Sequence, residues 1–193
     1  MKILFVIILL VNPIYLFAQD ENDSYAERSI LLRSMRIYFQ GNILQSMVLS
    51  DSIGNHDYLL DNSFSAGFEI TSEYKGLRNY GIGAMYQFPG SIVMAKGEIG
   101  IFPIYAFIDY PLSQTELFPI QLSIRFGYAF LLAKDGIEKV GNGIYHSLGF
   151  TMVISKNYQL KLMYAHNYGK IKIDSYEYSL RRENMSLSIN FKL

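Results

Sequence analysis

Apolar and polar residues alternate with a period of two along most of the chain beyond residue 30. In 119-PIQLSIRFGYAFLL-132, Ile120, Leu122, Ile124, Phe126, Tyr128, Phe130 and Leu132 share one parity, while Gln121, Ser123, Arg125, Gly127 and Ala129 share the other. Successive side chains of a strand point to opposite faces, so this segment is a ribbon with one apolar and one polar side. The same pattern runs through 63-SFSAGFEITSEY-74, 79-NYGIGAMYQF-88, 147-SLGFTMVIS-155, 159-QLKLMYAHNY-168 and 185-MSLSINFKL-193. No helical period of 3.6 competes with it. Two further segments are less regular. In 34-SMRIYFQ-40 the boundaries blur, and in 98-EIGIFPIYAFIDY-110 both faces carry bulk. Pro103 cannot donate to a ladder, so it predicts a bulge or a strand that begins there. The prediction is an all-β chain of eight strands.

The connections sort into two sets. Lys75–Arg78, 111-PLSQTELF-118 and Lys156–Tyr158 are short or moderate, whereas 41–62, 89–97, 133–143 and 169–182 are longer or more polar. The sets alternate, which fits an up-and-down antiparallel barrel with tight turns at one end and long loops at the other. An even strand count returns both termini to the tight-turn end.

Alternation does not say which face is wet. A soluble barrel turns its apolar parity inward, and a membrane barrel turns it to lipid. The periodic runs reach 9 to 13 residues, longer than ordinary strands of ~5–6 residues and matched to the ~9–11 that cross a bilayer. The polar parity is rich in Gly, Ala and Ser with isolated charges, as the cramped lumen of a small barrel requires. Tyr74, Tyr80, Tyr110, Tyr158 and Tyr168 lie near strand ends, where interfacial aromatics belong. These features predict an eight-stranded up-and-down antiparallel transmembrane β-barrel.

The N-terminus, MKILFVIILLVNPIYLFAQD, changes the picture by adding an address. Lys2 precedes an apolar run from Ile3 to Val11, and Leu16-Phe17-Ala18 offers a small-residue cleavage site. Residues 1–18 are expected to be a secretory signal peptide, followed by a barrel over 19–193 with a polar leader at about 19–29. Asn12-Pro13 breaks the apolar run before it reaches the ~20 residues of a spanning helix. The 17 basic and 17 acidic residues cancel, so no nucleic-acid surface is expected. Cysteine is absent, which removes disulfides, thiolate metal sites, cysteine nucleophiles and an acylated lipoprotein cysteine.

With its signal sequence, eight alternating segments and closing MSLSINFKL, the chain resembles the small eight-stranded outer-membrane β-barrel proteins of Gram-negative bacteria. The resemblance covers most of residues 30–193 and rests on pattern rather than on a motif. It implies an outer-membrane location, periplasmic termini and long loops outside. It also implies a monomer in contact with outer-membrane lipid, inserted by the barrel-assembly machinery. In that family the last strand usually ends in an aromatic residue, whereas here Phe191 is followed by Lys192 and Leu193.

Candidate chemistry is sparse. On the polar parity, Arg36, Glu69, Glu73, Arg125 and Lys161 are expected to converge inside the lumen, and burial obliges them to pair. That network reads as a structural plug; a gated solute path is the rival. Among the histidines, His146 and Ser147 are strand neighbours and point to opposite faces, so they form no relay. His146 and His166 share the apolar parity near strand ends, and His56-Asp57 is a conceivable pair in the first long loop. No GxSxG elbow, metal-ligand cluster or phosphate-binding glycine loop is present, and no cofactor is expected. The 41–62 segment is apolar for a loop, and extension of the adjacent strands is its simplest explanation. The expected role is structural or surface-interacting rather than catalytic. The alternatives are a lipid A deacylase or acyltransferase, with His, Ser and an acid converging at the outer rim, and a secreted lipocalin-like carrier, with the Phe126 parity lining a cavity.

Overall fold

The computed structural model describes residues 34–74, 78–92, 97–112 and 119–193, so the expected signal peptide and leader lie outside the described residues. The strands are β1 (Ser34–Ser50), β2 (Asn55–Leu59), β3 (Ser63–Tyr74), β4 (Arg78–Ser91), β5 (Glu98–Pro111), β6 (Ile120–Lys134), β7 (Ile137–Gly141), β8 (Gly143–Val153), β9 (Tyr158–Ile173) and β10 (Tyr176–Lys192). Strands β1, β3, β4, β5, β6, β8, β9 and β10 pair antiparallel in chain order, and β10 returns to β1 to close an eight-stranded barrel. The short β2 and β7 lie outside that circuit, paired to the far ends of β1 and β9.

Closure requires stagger. Followed from partner to partner, the row that leaves β1 at Arg36 runs through Glu69, Gly83, Tyr105, Gly127, Tyr145, Asn167 and Arg182 and re-enters β1 at Met47. The strands therefore tilt steeply, and eight of them enclose a space only wide enough for side chains.

The sidedness is unambiguous. Phe126 is 61% exposed and Phe39 60%, whereas Arg125 is 2% exposed and Lys161 wholly buried. A soluble carrier would turn Phe126 inward; here it points out, so the lipocalin-like reading fails. An apolar belt around a polar interior is the signature of a barrel solvated by lipid.

One glycine shows how tight the lumen is. Gly67 sits opposite Tyr38, and a Cβ on it would lie 2.5 Å from the tyrosine Cζ and hydroxyl. The ring cannot give way, because its hydroxyl hydrogen-bonds to that of Tyr105 at 2.7 Å in the buried interior. Gly67→Ala is expected to cost about 1–3 kcal/mol, the usual range for overpacking, read as a lower urea midpoint by circular dichroism.

Three segments expected as loops are strands. β1 continues to Ser50 with β2 laid against it, β6 and β7 meet at Asp135-Gly136, and β9 and β10 meet at Asp174-Ser175. Both turn residues have positive φ at each of these two junctions (54° and 95°, then 47° and 73°), and at Asp174-Ser175 this is the backbone that a two-residue hairpin turn between the paired β9 and β10 needs to match strand twist. The physical reason for the misreading is a change of phase. On β9 the outward residues are Leu160, Leu162 and Tyr164, but farther along the outward residues are Lys170 and Lys172, with Ile171 buried. On β10, Leu187 and Ile189 face out, but beyond Arg182 it is Leu180 that is buried and Arg181 that is exposed. Above the lipid belt the strands project into water, and the inside becomes the apolar side. There Met47, Leu49, Leu60, Ile92, Ile99, Ile101, Leu131, Ile137, Ile171 and Leu180 form a hydrophobic core that fills the barrel at its long-loop end.

Pro103 neither begins a strand nor bulges its own. It lies inside β5, buried and opposite Ala129 of β6. On its other side the β4–β5 ladder has no pair at Phe102 or Pro103, and the irregularity falls on β4 between Gln87 and Gly90. The missing donor thus sits at a position where β5 makes no ladder pair with β4, two residues before that irregularity is reached.

Candidate functional site in the lumen

The alternation of β1, β3, β5, β6 and β9 aims Arg36, Glu69, Asp109, Arg125 and Lys161 at one another across the lumen, all nearly or wholly buried. Arg125 donates from Nη2 to Glu69 Oε1 at 2.8 Å, and Lys161 Nζ reaches Glu69 Oε2 at 3.2 Å and Asp109 Oδ2 at 3.3 Å. Arg36 Nη1 bonds Asp109 Oδ2 at 3.0 Å and lies 3.9 Å from Glu69. Ser123 donates to Asp109 Oδ1 at 2.7 Å, and the Tyr105 hydroxyl donates to Glu69 Oε1 at 3.2 Å. Each carboxylate is thus shared among cations and a hydroxyl, which is how buried charge is tolerated. The Arg125 guanidinium also lies 5.0 Å from the Tyr105 ring centre and 5.2 Å from that of Tyr38, close enough for cation–π attraction.

Four of the five residues expected in the lumen come together here: Arg36, Glu69, Arg125 and Lys161. Glu73 lies on β3 opposite Asn79, but its side chain is outside the described residues. Asp109 was missed. It sits in the segment whose two faces both carry bulk, yet it shares parity with Tyr105 and Phe107, and as an acid within the apolar stretch that follows Glu98 it was the available signal.

Next along the axis come Tyr38, Met85, Tyr105, Phe107, Ala129, Tyr145 and Ala165, a packed aromatic layer. Beyond them Asn42, Gln45, Ser63, Ser65 and Gln87 exchange side-chain hydrogen bonds. Arg182 closes this stack beneath the apolar core. It is fully buried, donates to the Ile99 carbonyl at 3.2 Å and to Gln45 Oε1, and among the described residues has no carboxylate partner. Arg182 escaped notice because it falls in the part of β10 that reads as a loop.

The histidines lie outside the lumen. His146 and His166 face each other across β8 and β9 with rings stacked 4.9 Å apart. Glu183, next in the same row, has Oε1 3.8 Å from His166 Nδ1 and accepts from the Tyr164 hydroxyl at 2.7 Å. Ser147 is buried on the opposite face, where it accepts from Tyr145. His56 does not pair with Asp57; its near acid is Asp51, at 3.9 Å. The backbone N–H groups of Ile53 and Gly54 donate to Asp51 at 2.8 and 2.9 Å and hold that carboxyl below its usual range. Among the described residues no cluster of three metal-ligating side chains is found.

No protein-family model matches the chain, and no curated protein matches it. Solved structures do. Neisserial surface protein A (NspA) is 16% identical with a TM-score of 0.51, covering 81% of this chain and 97% of its own. The outer membrane protein AlkL, solved in lipid bilayers, is 11% identical with a TM-score of 0.52, covering 89% and 96%. Identities this low speak to architecture alone. Together with the apolar belt and the polar, side-chain-filled lumen, they show that this chain has the fold of the small eight-stranded outer-membrane β-barrels.

Proposed function

We propose that the protein is a sealed, monomeric barrel of the outer membrane that serves a structural or surface-interaction role and conducts no solute. One observation carries this reading: the lumen is filled at successive levels, by ion pairs, by tyrosines, by amides and finally by an apolar core. Water cannot file past buried isoleucines, and eight strands leave no space around them. Its partners on this reading are outer-membrane lipid around the belt and the barrel-assembly machinery during insertion.

Planar-bilayer recording and liposome swelling test it. Purified protein is expected to give no stepwise conductance and no sugar-dependent swelling. Discrete steps from the wild-type protein would sink the proposal. A lipid-modifying hydrolase is favoured by one observation, the outward pair of His166 and Glu183. It lacks a nucleophile, since among the described residues no serine hydroxyl bonds to His146 or His166. Incubation with lipid A and phospholipid is expected to release or transfer no acyl chain.

A further inference from the structure

Among the described residues the lumen buries more cations than anions: Arg36, Arg125, Lys161 and Arg182 stand against Glu69 and Asp109. The two carboxylates are committed to Arg36, Arg125 and Lys161. Among the described residues the surplus therefore falls on Arg182, which is held by a backbone carbonyl and an amide oxygen. Its Nε has no partner. Burying an uncompensated guanidinium is costly, so the site calls for negative charge.

A second observation falls at the same place. Asn167 is the direct cross-strand neighbour of Arg182, wholly buried, and neither its Nδ2 nor its Oδ1 has a hydrogen-bond partner. Neighbouring side chains on one face of an antiparallel pair lie about 5 Å apart at Cβ, close enough to share one small ligand. A buried amide with both ends idle is rare in a folded protein. The two idle donors, Arg182 Nε and Asn167 Nδ2, explain each other when both donate to one acceptor that is itself not part of the chain. The apolar core immediately above includes Leu180 two residues along β10, Met47 opposite Arg182 on β1, and Ile99, whose carbonyl accepts from Arg182, and it removes bulk water from that side.

We propose that Arg182 and Asn167 bind a small monovalent anion of halide size inside the barrel, trapped beneath the apolar core. Arg182 Nε and Asn167 Nδ2 donate to it, and it neutralises the guanidinium that no carboxylate reaches. This site is independent of whether the barrel conducts, and it makes the anion part of the folded structure rather than a passing solute.

The test is refolding into lipid vesicles from urea in sodium chloride, sodium bromide or sodium gluconate at equal ionic strength, followed by circular dichroism. Gluconate is too large for the site. Wild-type protein is expected to show a folded-to-unfolded ratio at least about tenfold higher in chloride or bromide than in gluconate, as a ligand at ten times its Kd gives. Arg182→Met is expected to erase that difference, with stability in gluconate at or above wild type. Crystals grown in bromide should show an anomalous peak between Arg182 and Asn167. Should Arg182→Met fail to fold, Asn167→Leu and the bromide crystal carry the test, the first expected to shrink the halide effect. Equal wild-type stability in all three salts, or a bromide crystal with only water at Arg182, overturns the proposal. Halide stabilisation that survives in Arg182→Met overturns it as well.

Discussion

Replacing Glu69 with alanine is expected to destabilise the barrel by about 3–5 kcal/mol, the cost of breaking a buried ion pair by removing one partner. Glu69 is wholly buried and gathers Arg125, Lys161 and, at longer range, Arg36. Without it Arg36 and Lys161 still share Asp109, but Arg125 keeps only the Tyr38 and Tyr105 rings and, among the described residues, has no carboxylate. The loss is therefore dominated by the stranded charge rather than by the missing bond. That distinction is measurable. Glu69→Leu combined with Arg125→Met should recover part of the stability lost in Glu69→Leu alone, because deleting both partners leaves less unpaired charge. Urea unfolding in lipid vesicles reads all of these variants by circular dichroism, since the chain has no tryptophan. A Glu69→Ala barrel as stable as wild type would mean that the lumen is hydrated enough to solvate Arg125.

The second large effect belongs to the outer face. Phe126 lies at the middle of the outward run of β6 from Ile120 to Phe130 and is largely exposed. Phe126→Arg is expected to cost about 2–4 kcal/mol, the penalty for arginine among acyl chains near the midplane. The same side chain introduced at Ser179, outward on β10 but beyond the change of phase, should cost less than about 0.5 kcal/mol, as at an ordinary wet surface. The contrast is sharper than either value. Equal penalties at the two sites would refute the assignment of Ser179 to water and Phe126 to lipid.

The portion of the fold legible in sequence was the portion in lipid. Within the belt one solvent is apolar and the lumen is polar, so Leu160, Leu162 and Tyr164 on β9 or Leu187, Ile189 and Phe191 on β10 keep one phase and announce their strands. The same property carried Arg36, Glu69, Arg125 and Lys161 to the correct side of the wall. Parity does not give register, so the identity of partners, and above all the role of Asp109, came only from the pairing of β5 with β6. Beyond the belt the solvent changes. Ile171 and Leu180 are as periodic as their neighbours but shifted by one residue, and a shift of one looks like the end of a strand. Arg182 lies at that junction, which is why the residue with the least compensated charge was hidden in an apparent loop.

The change of phase along β9 and β10 also acts as a depth gauge. A barrel with a uniform apolar belt can ride up or down in a bilayer by a few ångströms at modest cost. Here a downward slide by two residues, about 7 Å along a strand, would draw the outward Lys170 and Arg181 into hydrocarbon. An upward slide would lift Tyr164 and Leu187 of the belt into water. The same junction therefore locks immersion as well as sidedness, and it holds the projecting rim at a fixed height above the membrane. Any surface that docks on this protein from outside meets a rigid platform whose elevation is written into where its isoleucines turn inward.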